Sequence, residues 1–203
     1  MNIMVNGVTQ MKHLRQLDGL GVQYASLIAE PSNVLSIENW QDEDLDIQLV
    51  GKFRNPDFAQ VDELMEKCNF SVIHLDGDES PFLCDKISGE WELIKTIRID
   101  LNEGIFPENV LEEFDEVCDY YFFESVQRQP WKQEFWDLLM GVNIEKPFFI
   151  SGSFIPTSSA LLHQFKHPDF FGVCYDREVR DDSGEIDMAT LLSAINVIQP
   201  LRR

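Results

Sequence analysis

Short apolar runs alternate along this chain with longer segments in which apolar residues recur at helical spacing. The short runs are rich in aromatic and β-branched residues, which is typical of strands buried on both faces. The longer segments include residues 56–65, 131–140 and 188–197, where apolar side chains fall on one face of a helix. Eight short runs predict strands, at residues 2–6, 23–29, 46–53, 70–75, 92–99, 119–124, 147–151 and 170–175.

Strands and helices that alternate in this way are typical of repeated βα units around a parallel sheet. Eight units in 203 residues amount to about 25 residues each, near the lower limit for a (β/α)8 barrel. The chain contains no linker rich in Pro, Gly or Ser and no low-complexity run. We therefore predict an α/β fold, a single (β/α)8 TIM barrel of the short kind, with residues 1–203 as one domain.

The composition narrows the class of partner. Acidic residues number 36 and basic residues 16, a net charge of −20 that disfavours nucleic acid, because phosphate binding needs Lys and Arg. No apolar stretch has the length of a membrane helix, and the amino end does not resemble a signal peptide. The four cysteines lack disulfide or metal spacing. We expect a cytoplasmic monomer or homodimer with no nucleic-acid or membrane partner.

Polar residues at the carboxyl ends of the predicted strands indicate where a site would lie. In parallel βα folds the functional groups occupy these strand ends, and residues two apart in a strand share a face. We assume that Met4, Val72, Phe122 and Cys174 face inward in the first, fourth, sixth and eighth strands. The last inward-facing residue of each of these strands then contributes to one ring at the mouth. That ring consists of Asn6, Asp76, Glu124 and Asp176, and it predicts an acidic opening that binds a small-molecule ligand at the carboxyl-terminal mouth of the barrel.

Several of these strand ends carry motifs of one family. Residues 72–81, V-I-H-L-D-G-D-E-S-P, are similar to V-Q-L-H-G-D-E-S-P, and residues 93–98, L-I-K-T-I-R, are similar to V-I-K-A-I-R. Residues 4–9 take the place of K-I-C-G-I-T, and residues 151–156 that of A-G-G-L-T-P. Together these motifs, spread over the whole length, resemble the phosphoribosylanthranilate isomerase family of tryptophan biosynthesis.

The resemblance implies a barrel that catalyses an Amadori rearrangement without a cofactor. In that reaction a cysteine removes a proton from a sugar carbon, and an aspartic acid protonates the ring oxygen. Asn6 stands at the cysteine position, and its amide accepts no proton at neutral pH. Glu124 stands at the position of the acid, one methylene longer. The catalytic positions predicted by resemblance are therefore Asn6 and Glu124.

The resemblance also implies a set of substrate-binding positions, and several of them differ from the family pattern. Asn33 aligns with an arginine that holds a carboxylate, and Asp76 with a loop histidine. Acidic residues replace the phosphate-binding S-S-G after the eighth strand, and one carboxylate about 4 Å from a phosphate charge repels it by roughly 4 kcal/mol at an effective dielectric near 20. The predicted substrate-binding residues are Asn33, Asp76, Arg98, Gly152, Ser153, Asp176 and Arg177. Of Lys95 and Arg98, only one can face the lumen.

Three functions follow from these observations. The first is an isomerase homologue whose base and phosphate loops have changed. The second is a non-catalytic barrel that binds or scaffolds, for which we expect an occluded mouth. The third is an enzyme that uses Glu124 and Asp76 as acid and base on a non-phosphorylated small molecule. For it we expect an open pocket with both carboxyl groups within reach of one ligand and with perturbed pKa values. The acidic residues near His74 do not match the spacing of a closed metal site, so we predict no metal.

Overall fold

Eight parallel strands close into one barrel in the computed structural model, which describes residues 1–30, 44–100, 102–103, 106–126, 133–151 and 166–198. Each strand pairs with its neighbours in the chain, and β8 closes the circle against β1. The strands are β1 Asn2–Val5, β2 Tyr24–Ile28, β3 Gln48–Phe53, β4 Val72–Leu75, β5 Glu92–Ile99, β6 Tyr120–Ser125, β7 Phe148–Ser151 and β8 Phe170–Tyr175. The predicted (β/α)8 barrel is confirmed, and the predicted strand ends all lie within two residues of these.

The described helices lie between the strands, and local sequence signals set their ends. Asp57 begins one helix by accepting a hydrogen bond from the Gln60 amide at 2.8 Å, and Ser80 caps the next, with Pro81 in its first turn. These helices are α1 Met11–Gly19, α2 Phe58–Cys68, α3 Pro81–Ser88, α4 Glu108–Phe114, α5 Gln133–Met140 and α6 Met188–Ile198. The three helices predicted from periodicity correspond to α2, α5 and α6.

The buried apolar residues form two separate clusters, one on each side of the barrel wall. The outer cluster packs the strands against the helices. The inner cluster fills the lumen and consists of Met4, Val50, Val72, Ile94, Phe122, Phe149 and Cys174, with Tyr24, Tyr120 and Phe171 packed against it. Its membership confirms the predicted inward faces of β1, β4, β6 and β8.

Aromatic rings fill the end of the lumen that lies at the amino ends of the strands. Phe171 lies 5.1 Å from both Tyr120 and Phe149 between ring centroids, and Tyr24 lies 5.6 Å from Phe149. Edge-to-face and tilted pairs at these separations are favourable. This packing fills the lower lumen, so the inward polar residues lie above it, at the carboxyl ends.

Candidate active site

The four residues of the predicted ring lie at one mouth, and hydrogen bonds and ion pairs join them in two groups. The Asn6 Nδ2 donates to Asp176 Oδ2 at 2.9 Å, across the contact between β1 and β8. Arg98 joins the other two carboxylates, with 3.2 Å between its Nη2 and Asp76 Oδ1 and 3.6 Å between its Nε and Glu124 Oε2. The structure therefore brings the predicted ring together.

Lys52, a cation that the sequence prediction missed, lies within this ring. Its Nζ is 3.2 Å from Asp76 Oδ2 and 5.9 Å from the centroid of the Phe122 ring. Lys52 is two residues after Val50 on β3, so the same alternation that selected the ring would have placed it inside. The mouth is therefore less acidic than predicted.

Asp76 accepts from more partners than the other carboxylates of the ring. The Thr96 hydroxyl donates to its Oδ1 at 3.0 Å, in addition to Arg98 and Lys52. Burial raises the pKa of Asp76, but its neighbours, including the cations Lys52 and Arg98, lower it by more, so the net pKa lies below its usual 3.8. Asp76 is therefore an ionised anchor for two cations.

His74 lies directly below, fully inside the barrel, as a neutral imidazole. Its Nε2 is 2.8 Å from the Thr96 hydroxyl, which donates its own proton to Asp76. The Thr96 oxygen must then accept from His74 Nε2–H, which fixes the tautomer and leaves Nδ1 with a lone pair. Burial lowers the pKa of His74 to about 3, so the ring carries no charge at neutral pH.

Charged side chains of the chain itself fill the corner after β8. Asp176 directly precedes the short 3₁₀ helix Arg177–Val179. Its backbone N–H donates a hydrogen bond to Glu178 Oε1 at 3.2 Å. Arg177 is exposed, and Arg180 instead pairs with Asp176, at 3.3 Å from its Nε to Oδ1. Arg180 also donates to the Asn6 carbonyl at 2.6 Å. Sequence reasoning missed Arg180, because alternation within a strand does not extend into the turn that follows.

An open pocket of about 340 Å³ lies between these groups on the β1 to β4 side of the mouth. It is lined by Asn6, Ile28, Ala29, Glu30, Lys52, Phe53, Arg54, Gln60, Asp76 and Asp176. Three of the predicted site residues thus share one pocket. Asn33, Gly152 and Ser153 lie outside the described residues.

Lys95 and Arg98 face opposite sides of β5, as the sequence analysis required. Arg98 points to the mouth, whereas Lys95 lies on the outer side and donates to Glu79 Oε2 and the Gly77 carbonyl. Glu79 accepts in turn from the backbone N–H groups of Gly77 and Asn55. This buried pair therefore holds the loops after β3 and β4, which carry the pocket.

Neither a metal cluster nor a membrane-spanning helix is present in the described part of the chain. No group of three or more His, Cys, Asp or Glu side chains there is arranged to hold a metal ion. None of the helices described is long and apolar enough to cross a membrane.

Comparison with known proteins assigns the barrel to a family. Residues 5–167 match the N-(5'phosphoribosyl)anthranilate (PRA) isomerase family, a span that runs from the last residue of β1 through β7. The chain belongs to this family. A phosphoribosylanthranilate isomerase relative from Parabacteroides distasonis is 25% identical over 212 residues, which cover 98% of this chain and 93% of the relative.

Solved phosphoribosylanthranilate isomerases share the fold. The structure from Thermus thermophilus matches with a TM-score of 0.80 at 15% identity, over 100% of both chains. Another isomerase structure, a complex with reduced 1-(o-carboxyphenylamino)-1-deoxyribulose 5-phosphate, matches with a TM-score of 0.75 at 15% identity, over 97% of each chain. At such low identity these likenesses show the barrel, and the chemistry must be argued from the residues of this chain.

Proposed function

We propose that this member of the phosphoribosylanthranilate isomerase family binds a small molecule in its mouth pocket but catalyses the Amadori rearrangement poorly. The observation that carries the proposal is Asn6, which stands where the family resemblance places the cysteine base. Its Nδ2 donates to Asp176, and an amide accepts no proton at neutral pH. Loss of a general base costs about 10²- to 10⁴-fold in rate.

A neighbouring thiol does not replace the missing base. All four cysteines are buried. The one that faces the lumen, Cys174, lies below Asp176 on β8, and burial raises its pKa well above the usual value. A thiol in that state is not the thiolate that proton abstraction requires.

The corner after β8 supports weaker phosphate binding than the family resemblance implies. Glu178 already accepts from the Asp176 backbone N–H, which a phosphate would otherwise use. The Asp176 carboxylate adds a second negative charge, and Arg180 offsets part of it at 3.3 Å. A phosphorylated substrate would have to displace one of these carboxylates.

A second function, an enzyme acting on a non-phosphorylated small molecule, is favoured over a pure scaffold by the open pocket. The scaffold hypothesis predicts an occluded mouth, whereas about 340 Å³ is open beside Asp76 and Asp176. Glu124 does not line this pocket. It is linked to the pocket by Arg98, because the Arg98 guanidinium contacts both Asp76 and Glu124. In this second function Glu124 and Asp76 would be the acid and base pair, and Glu124 would have to leave Arg98 to reach a ligand in the pocket.

Titration and complementation test the proposed function. We expect calorimetry to detect binding of the reduced isomerase product analogue or of its dephosphorylated form. We also expect no growth when this gene is the only isomerase in a tryptophan auxotroph that lacks its own. A known isomerase gene in the same vector is the positive control. Vigorous growth would contradict impaired catalysis. If neither analogue binds at millimolar concentration, the proposed ligand site is contradicted.

Other expectations from the sequence stay predictions. They are the cytoplasmic location, the monomeric or homodimeric state, the single domain, and the absence of cofactor, nucleic-acid and membrane partners. Size-exclusion chromatography with light scattering would measure the oligomeric state directly.

A further inference from the structure

Three buried polar atoms of the described residues have no hydrogen-bond partner. They are Asn6 Oδ1, Ser26 Oγ and His74 Nδ1. Nearly all buried polar atoms in native proteins are satisfied, so each such atom requires an explanation. Their side chains are almost wholly inaccessible, with Asn6 at 8%, Ser26 at 0% and His74 at 1% exposure.

The strand register places the three groups together in the upper lumen. Val5 pairs with Ala25, so the next residues, Asn6 and Ser26, are neighbours across β1 and β2. Ser26 and His74 come from alternate strands, β2 and β4, whose inward residues share a layer in a TIM barrel. Asn6 also lines the mouth pocket. The three atoms therefore lie at and just beneath the floor of that pocket.

The hydrogen bonds already made decide what the free atoms offer. Asn6 must turn its NH₂ toward the Asp176 carboxylate, because the reversed amide would set oxygen against oxygen, so the free atom is an acceptor. The Thr96 bond fixes the tautomer of His74, so its Nδ1 is an acceptor too. Ser26 adds a hydroxyl that donates or accepts.

We propose that Asn6, Ser26 and His74 form a subsite that binds a hydrogen-bond donor, a hydroxyl or amine of a small-molecule ligand. This inference rests on the proposed function, which places a ligand in the mouth pocket. Two obligate acceptors disfavour an anionic group at this point, because an anion has no proton to donate to them. The ligand is therefore a polyhydroxyl or amino compound that inserts its neutral or cationic end first.

Binding measurements on matched variants test the subsite. The probes are reduced 1-(o-carboxyphenylamino)-1-deoxyribulose 5-phosphate and the same compound without its phosphate. Ser26→Ala removes the hydroxyl with little change of volume, and we expect it to weaken binding of the dephosphorylated probe about 5-fold, the value of one hydrogen bond. Ser193→Ala, at an exposed serine on α6, is the matched control and should leave affinity unchanged.

Nuclear magnetic resonance of the imidazole nitrogens gives a direct readout. The ¹⁵N shift of His74 Nδ1 should move when the dephosphorylated probe binds, because the lone pair then accepts a hydrogen bond. Without a probe, Ser26→Ala should raise the melting temperature, since it removes an unsatisfied buried group.

The outcomes that would contradict the proposal distinguish failure of the subsite from failure of the proposed function. If wild-type protein binds a probe but Ser26→Ala leaves affinity and the His74 shift unchanged, the subsite is wrong and the proposed function stands. If Ser26→Ala lowers the melting temperature, a buried water occupies the position and the subsite is likewise wrong. If neither probe binds at millimolar concentration, both proposals fail.

Discussion

The buried ion pair behind the site allows a prediction whose size follows from the structure. Lys95 Nζ lies 2.5 Å from Glu79 Oε2, and the two side chains are 4% and 0% exposed. Glu79 also accepts from the backbone of Asn55 at 2.8 Å and of Gly77 at 2.9 Å. One carboxylate therefore neutralises a buried ammonium and joins two loops of the mouth.

Glu79→Gln keeps most of the side-chain volume but leaves the Lys95 charge without its partner. Breaking a buried pair in this way costs about 3–5 kcal/mol of unfolding free energy. A domain of this kind has a total of about 5–15 kcal/mol, so the variant should lose a large share of its stability. The double variant Glu79→Gln/Lys95→Met leaves no unpaired charge, so it should be more stable than Glu79→Gln alone.

Urea unfolding followed by circular dichroism measures these differences. The exposed Glu90→Gln is the control for loss of a carboxylate and should change stability by less than about 0.5 kcal/mol. A loss below about 1 kcal/mol for Glu79→Gln would refute the reasoning, since it would mean that Lys95 finds water or another partner at little cost. A double variant as unstable as the single one would show that loop anchoring, not charge, dominates.

Three further substitutions test the mouth. Asp76 has a lowered pKa, so its contribution to stability is present above its usual 3.8 and is lost as pH falls through the folded value. Asp76→Asn should therefore be less stable than wild type at pH 7 and nearer to it at pH 3 in urea unfolding. Gly7→Ala forces a Cβ at φ +63° and 2.6 Å from Arg180 Nη2, so it should cost about 1–3 kcal/mol; an unchanged melting temperature would contradict this. Asn6→Cys alone should not support growth of the auxotroph, because the β8 corner stays filled, and growth would contradict that account.

How far the sequence predicts this protein depends on the kind of signal each residue carries. Strands buried on both faces are continuously apolar, so the sequence predicts their number and order. Alternation from Met4 and Val72 then predicts that Asn6 and Asp76 lie at the mouth, where the structure has them. The same alternation along β3 also predicts that Lys52 faces the mouth, where it pairs with Asp76. Arg180 was not, because its contacts with Asn6 and Gly7 depend on a turn after β8 that has no periodic signal.

The location of the unsatisfied atoms links the two proposals, a weak isomerase and a ligand site in the mouth pocket. Each carboxylate of the ring is paired with a cation or a hydrogen-bond donor. Asp176, for example, contacts both Arg180 and the Asn6 amide. The unpaired acceptors instead accept no hydrogen bond from the described chain, and they lie above a lumen packed with aromatic rings. A buried acceptor without a partner costs about 1–3 kcal/mol, and a ligand that supplies the donor recovers this on binding. In the proposed subsite the free energy for recognition would thus come from the barrel floor, and it would require neither a cysteine base nor a bound phosphate at the corner after β8.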